Sequence, residues 1–224
     1  MLSKADHDAI AVAVADAEVR TSGEILCVLA HRVSNYRETP LAWAAAAALL
    51  LPPVALALGA RLTLGAGSMW ESSLSGAERA APFALGGYAL AQIVIFAAVA
   101  LAIAAFRPVK LALTPAILKH RRVRQAAFAQ LMATRLLGSQ IGAAVVIFAS
   151  LEDRMVTVVG DEAIHAKVGD KAWAAAVAAV QAGVRRGEPA AGFIDAVALC
   201  GALLAEHFPT DGHAHHLADG VLEI

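Results

Sequence analysis

Cysteine is nearly absent from this 224-residue chain, which has only Cys27 and Cys200. Both sit in apolar runs without C-x-x-C spacing, so they read as small buried residues rather than a disulfide or a metal pair. A cysteine-based phosphatase loop is excluded on the same ground. No G-x-S-x-G, H-E-x-x-H or G-x-x-x-x-G-K-(S/T) sequence occurs, which removes the serine-hydrolase elbow, the zinc-protease helix and the Walker-type phosphate loop. Charge is also scarce: 17% of residues are charged and the formal net charge is −1. That balance lacks the basic excess of a nucleic-acid binder. Met1–Arg20 is charged and amphipathic and does not read as a signal peptide.

What the chain has instead is apolar length. Leu41–Ala60 and Pro82–Phe106 carry no charge, and the connector between them holds Arg61, Glu71, Glu78 and Arg79. About 20 apolar residues suffice for a helix to cross roughly 30 Å of hydrocarbon. The stretch 41–106 is therefore expected to be a two-helix transmembrane hairpin, with spans at 41–60 and 82–106. Pro52-Pro53 predicts a kink or break in the first span. Outside the hairpin about 158 residues remain, enough for one compact domain.

Arg107, Lys110, Lys119, Arg121, Arg122 and Arg124 follow the second span with no acid among them, and Arg32 and Arg37 precede the first. The positive-inside rule then places both termini and the soluble parts in the cytoplasm, in a bacterial inner membrane. The same six basic residues face anionic lipid headgroups on this reading. No aromatic interleaves with them, so they are not a nucleic-acid surface.

The soluble segments alternate between helix and strand patterns. Ser3 is a helix N-cap candidate with Asp6 and Asp8 in the first turn, and Ile10, Val14 and Ala17 recur at helical spacing. Glu24–Ala30 is a strand buried on both faces. Thr114–Leu137 is expected to be a helix with Ile117, Val123, Phe128, Leu131 and Met132 on its apolar face. Ile141–Ser150 and Met155–Gly160 flank the short polar turn Leu151–Arg154, which predicts an antiparallel hairpin. A short helix over 161–168, one from Gly169-Asp170 to about Gln181 or Arg185, and one over 190–208 follow. The order predicts an α/β domain with a small mixed sheet, split by the membrane hairpin. Its parts are 1–38 and 111–208, and 209–224 is expected to be a flexible histidine-containing tail.

Four marks carry a family resemblance. They are Thr21-Ser22-Gly23-Glu24-Ile25 before the first strand, Ile141-Gly142-Ala143-Ala144-Val145-Val146-Ile147, Glu152-Asp153-Arg154 leading into Val156-Thr157-Val158-Val159-Gly160-Asp161, and a closing helix after Arg186-Gly187-Glu188 and Gly192-Phe193. In this order they resemble the TPM domain family of thylakoid-lumen, bacterial and animal membrane proteins. The resemblance implies a three-layer α/β/α domain. It also implies either an acid phosphatase, a calcium binder, or a factor in membrane-complex repair or receptor modulation. An Asp-Asn pair common in that family before the second strand is Ser139-Gln140 here.

The residues offer two metal candidates. Glu152, Asp153 and Asp161, with Glu162 nearby, supply oxygen ligands for a divalent cation such as calcium or magnesium. A solvated turn and a helix N-terminus explain the same acids. His213, His215 and His216, with His207 and Asp219 near them, have the donors for zinc, copper or nickel. Glu24 is expected to pair with a base such as Arg154 or to sit at a ligand site. Two functions follow as expectations. One is a membrane-anchored interaction or scaffold module for maintaining or assembling membrane complexes, with an unnamed protein partner or a second copy of itself. The alternative is a metal-assisted phosphomonoester hydrolase using Glu152, Asp153 and Asp161.

Overall fold

The computed structural model describes residues 2–58, 77–137, 143–210 and 220–224. The chain forms two compact units: Met1–Asn35 with Ala116–Ile224, and Tyr36–Pro115.

The first unit is built on a four-stranded sheet. Its strands are β1 (Gly23–Ala30), β2 (Ala143–Ser150), β3 (Met155–Gly160) and β4 (Val221–Glu223), in the order β3-β2-β1-β4. β1 runs parallel to β2 and β4, and β2 and β3 form the expected antiparallel hairpin. Every residue of β2 is buried, as its run of apolar residues up to Ser150 requires. Alternation then divides the strands between two cores. Ile25, Cys27, Leu29, Val145 and Ile147 face one side, packed with α1 (Lys4–Glu18), α7 (Ala174–Arg186) and α8 (Pro189–His207). Val28, Ala30, Val146 and Phe148 face α5 (Ala116–Leu137) on the other. The unit is thus a three-layer α/β/α arrangement. A short α6 (Glu162–Val168) and a 3₁₀ turn (Asp170–Trp173) join β3 to α7.

Local chemistry sets the element ends. Ser3 caps α1 in a capping box with Asp6: its hydroxyl accepts from the Asp6 N–H at 3.2 Å, and Asp6 accepts from the Ser3 N–H at 2.8 Å. Thr21 is fully buried; its hydroxyl donates to the Phe208 carbonyl at 2.6 Å and accepts from the Gly23 N–H at 3.0 Å. The Thr-Ser-Gly step therefore ties the end of α8 to the start of β1. α7 and α8 approach so closely that a Cβ on Gly183 would lie 2.6 Å from the Gly192 backbone.

Three expectations change. The buried stripe of α5 is Val123, Ala127, Leu131 and Thr134, while Ile117, Phe128 and Met132 are exposed. Next, 209–224 is not uniformly a loose tail: Val221–Glu223 pairs with β1, and the Ile224 carbonyl accepts from the His31 N–H at 2.7 Å. Three residues are too few for a periodic signal, so this strand depends on the exposed edge of β1. Finally, the helix expected from Thr114 starts at Ala116. A separate α4 (Arg107–Leu113) precedes it, because Pro115 disfavours helical geometry at Thr114.

The second unit holds α2 (Glu38–Ala57), α3 (Ala77–Ala105) and α4. α2 continues through Pro52 and Pro53 without a break. α2 and α3 pack together, and the start of α2 meets the end of α4: the Thr39 and Thr114 hydroxyls are 3.0 Å apart and both residues are buried. The Trp43 indole N–H donates to the Leu113 carbonyl at 3.1 Å. Apolar side chains on both long helices face outward, among them Leu50, Ile93 and Leu101.

Candidate functional site

The acidic residues of the β2–β3 hairpin do not converge. Glu152 and Asp153 lie in the turn at the carboxyl end of β2, whereas Asp161 follows the last residue of β3. A six-residue strand separates the turn from Asp161, about 20 Å of chain at ~3.4 Å per residue. Calcium holds its ligands at about 2.5 Å, so these carboxylates cannot share one ion. Among the described residues no group of three His, Cys, Asp or Glu side chains is placed to hold a metal. His213, His215 and His216 lie outside the described residues.

Asp161, Asp153 and Glu18 are buried and instead have structural tasks. Asp161 caps α6: one carboxylate oxygen accepts from the Ile164 N–H at 2.9 Å and the other from the Ala144 N–H at 3.1 Å. The second bond extends the β2–β3 ladder by one step, since the Asp161 N–H also donates to the Ala144 carbonyl. Asp153 accepts from the Ser150 hydroxyl at 2.6 Å and fastens the hairpin turn. Glu24 is buried beside Ala144, at the opposite end of the sheet from Arg154, so the expected Glu24–Arg154 pair does not form. Glu18, not singled out in the sequence, is also buried; its carboxylate accepts from the Ile25 N–H at 2.7 Å and links α1 to β1.

The two thiols are buried in the same core and unbridged. Burial raises the Cys27 thiol far above its ordinary range, with Cys200 and Glu18 adding to the rise, and pushes Cys200 up to about 12. Both are neutral, unreactive packing groups at physiological pH.

The feature with the geometry of a binding site is a cleft of about 590 Å³ at the carboxyl end of β2. The hairpin turn forms one wall, with Ser150, Leu151 and Arg154, and α7 forms another, with Gln181, Val184 and Arg185. Backbone bonds fix the turn, the Leu151 N–H donating to Ala30 and the Glu152 N–H to His31. Arg154 has a left-handed backbone, with φ of 53°. Sequence reasoning missed this cleft because its parts come from segments about thirty residues apart, with nothing periodic to join them.

The six basic residues proposed to face lipid divide between the units. Arg107 and Lys110 are on α4, while Lys119, Arg121, Arg122 and Arg124 are on α5. Arg124 stacks over the Phe128 ring at 5.7 Å.

No family model and no curated protein matches the chain. Among solved structures, it is similar to the NMR structure of the BA42 protein from the psychrophilic bacterium Bizionia argentinensis. The TM-score is 0.55 at 16% identity, covering 100% of this chain and 95% of that one. That likeness is one of fold.

Proposed function

We propose that the protein is a membrane-anchored, TPM-like α/β module that binds a protein partner at the membrane surface and so supports the maintenance or assembly of membrane complexes. The observation that carries this reading is the make-up of Tyr36–Pro115. Only 6% of the apolar window Gly86–Ala105 is buried, which suits a helix bathed in lipid rather than water. α8 is also long and apolar enough to span a membrane. However, its Phe193, Val197, Cys200 and Leu204 fill the core beneath the sheet, so we assign the spans to α2 and α3. The Thr39–Thr114 contact supports the pairing, since it brings the chain into and out of the hairpin at one place.

On this reading the basic residues of α4 and α5 mark the cytoplasmic side, and each contributes on the order of 1 kcal/mol toward anionic lipid. The tether raises the local concentration of the module for a membrane partner. Reporters fused at Ser72 and after Ile224 test the orientation: the first is expected outside and the second in the cytoplasm. A cytoplasmic Ser72 reporter would sink the hairpin. Copurification from membranes with the hairpin intact, compared with a hairpin-deleted chain, tests whether the partner is met at the membrane.

A further inference from the structure

The cleft between the β2–β3 turn and α7 has a chemistry that the scaffold reading does not use. We propose that it binds a small organic oxyanion, a carboxylate or phosphate head carried on a short apolar body. The charged lining residues are both arginines, Arg154 and Arg185, and Gln181 adds a carboxamide. Among the described residues neither guanidinium is held in an ion pair, whereas the neighbouring Arg186 is taken by Glu188 at 3.5 Å. Asp153, the buried acid of the turn, is engaged by the Ser150 hydroxyl. Guanidinium forks match the paired oxygens of carboxylates and phosphates.

The remaining wall is apolar, with Leu151, Met155, Val156 and Val184, and gives a carbon body somewhere to lie. A volume of about 590 Å³ falls in the range of metabolite sites. Its position is also the one that parallel sheets favour for ligands, beyond the carboxyl ends of their strands, here β1 and β2.

The backbone adds a separate argument. Arg154 occupies a left-handed turn position that glycine or asparagine takes without cost, and a long side chain there is strained. The turn thus carries a guanidinium where the backbone alone favours its absence, as is common at ligand sites.

The test uses the full chain in lipid nanodiscs with three probes: phenyl phosphate, benzoate and inorganic phosphate, followed by calorimetry and by ³¹P resonance shifts. Saturable binding of phenyl phosphate or benzoate is expected, and the tighter of the two identifies the head group. Arg154→Gly keeps the turn geometry and Arg185→Gln alters an exposed helix position, so both variants are expected to fold. Each is expected to weaken binding about tenfold or more, and Arg186→Gln to leave it within twofold. Val184→Trp, which fills the cleft, is expected to abolish it. If neither organic probe binds, or if the Arg154→Gly/Arg185→Gln double variant binds as well as the parent, the proposal fails. Inorganic phosphate binding as tightly as phenyl phosphate would remove the apolar body from it. None of these outcomes depends on the membrane reading, which the topology reporters test separately.

Discussion

Asp153 and Asp161 stand at opposite ends of β3, one fastening a turn through Ser150 and the other capping a helix through Ile164. Two acids eight positions apart look like neighbours in the sequence, and the hairpin separates them. Asp161→Ala is therefore expected to cost stability, not activity. It removes the acceptor of two backbone N–H groups, a loss of about 1–3 kcal/mol, seen as a lower denaturation midpoint. Calcium or magnesium is expected to leave the melting temperature of the parent and of this variant unchanged. Phosphomonoester turnover that requires divalent metal and disappears in Asp161→Ala would restore the hydrolase.

The α7–α8 contact gives a second expectation. Gly183→Ala places a methyl 2.6 Å from the Gly192 backbone, which no side-chain rotation relieves, so the helices must separate. The cost is about 2–3 kcal/mol. Gly187→Ala meets no atom within 4 Å, and its penalty comes only from the left-handed φ of 79°, about 1 kcal/mol. Urea titrations of the two variants should therefore rank Gly183→Ala as clearly the worse. The reverse order would mean the helices are not packed this closely.

The buried thiols make stability fall in alkali. Their folded pKa values are raised, so the native state keeps its two protons while the unfolded chain releases them above the ordinary value of 9.0. Stability from this source is fully present below that value and is lost as pH rises beyond it. Each thiol contributes a slope of up to about 1.4 kcal/mol per pH unit. Melts between pH 8 and 10.5 should show a steeper loss in the parent than in the Cys27→Ala/Cys200→Ala variant. Equal slopes would place the thiols in contact with water.

The physical reasons why some of this was legible and some was not are specific. Near-continuous apolar runs announced β1 and β2 because a strand covered on both faces leaves room for polar side chains only near its ends, and Ser3 with Asp6 announced the start of α1. The turn Leu151–Arg154 is short enough to allow only an antiparallel return, so β3 followed. Glu24 and Arg154 could not be placed, because parallel pairing of β1 with β2 puts residue 24 beside residue 144, and no local pattern encodes that register. The face of α5 was drawn too wide for a similar reason. Ile117 and Met132 are apolar yet exposed, and sequence alone does not say which apolar stripe meets the sheet.

β4 supports a last expectation. A chain cut after Asp219 loses the pairing of Val221–Glu223 with β1, including the bonds His31 N–H to Ile224 carbonyl and Ile224 N–H to Leu29 carbonyl. It also loses the Glu223 carboxylate, which accepts from the Leu2 N–H at 2.8 Å and lies 3.5 Å from His7. Net hydrogen-bond values near 1 kcal/mol put the loss at a few kcal/mol. The more telling effect is on association. β1 would become an edge strand with a nearly continuous apolar sequence and unpaired N–H and C=O groups, the arrangement that recruits a second strand. Light scattering on the truncated chain in nanodiscs should show concentration-dependent self-association that the parent lacks. Restoring Gly220–Ile224 as a separate peptide should reverse it. A truncated chain that stays monodisperse and equally stable would mean that this strand does not protect the sheet.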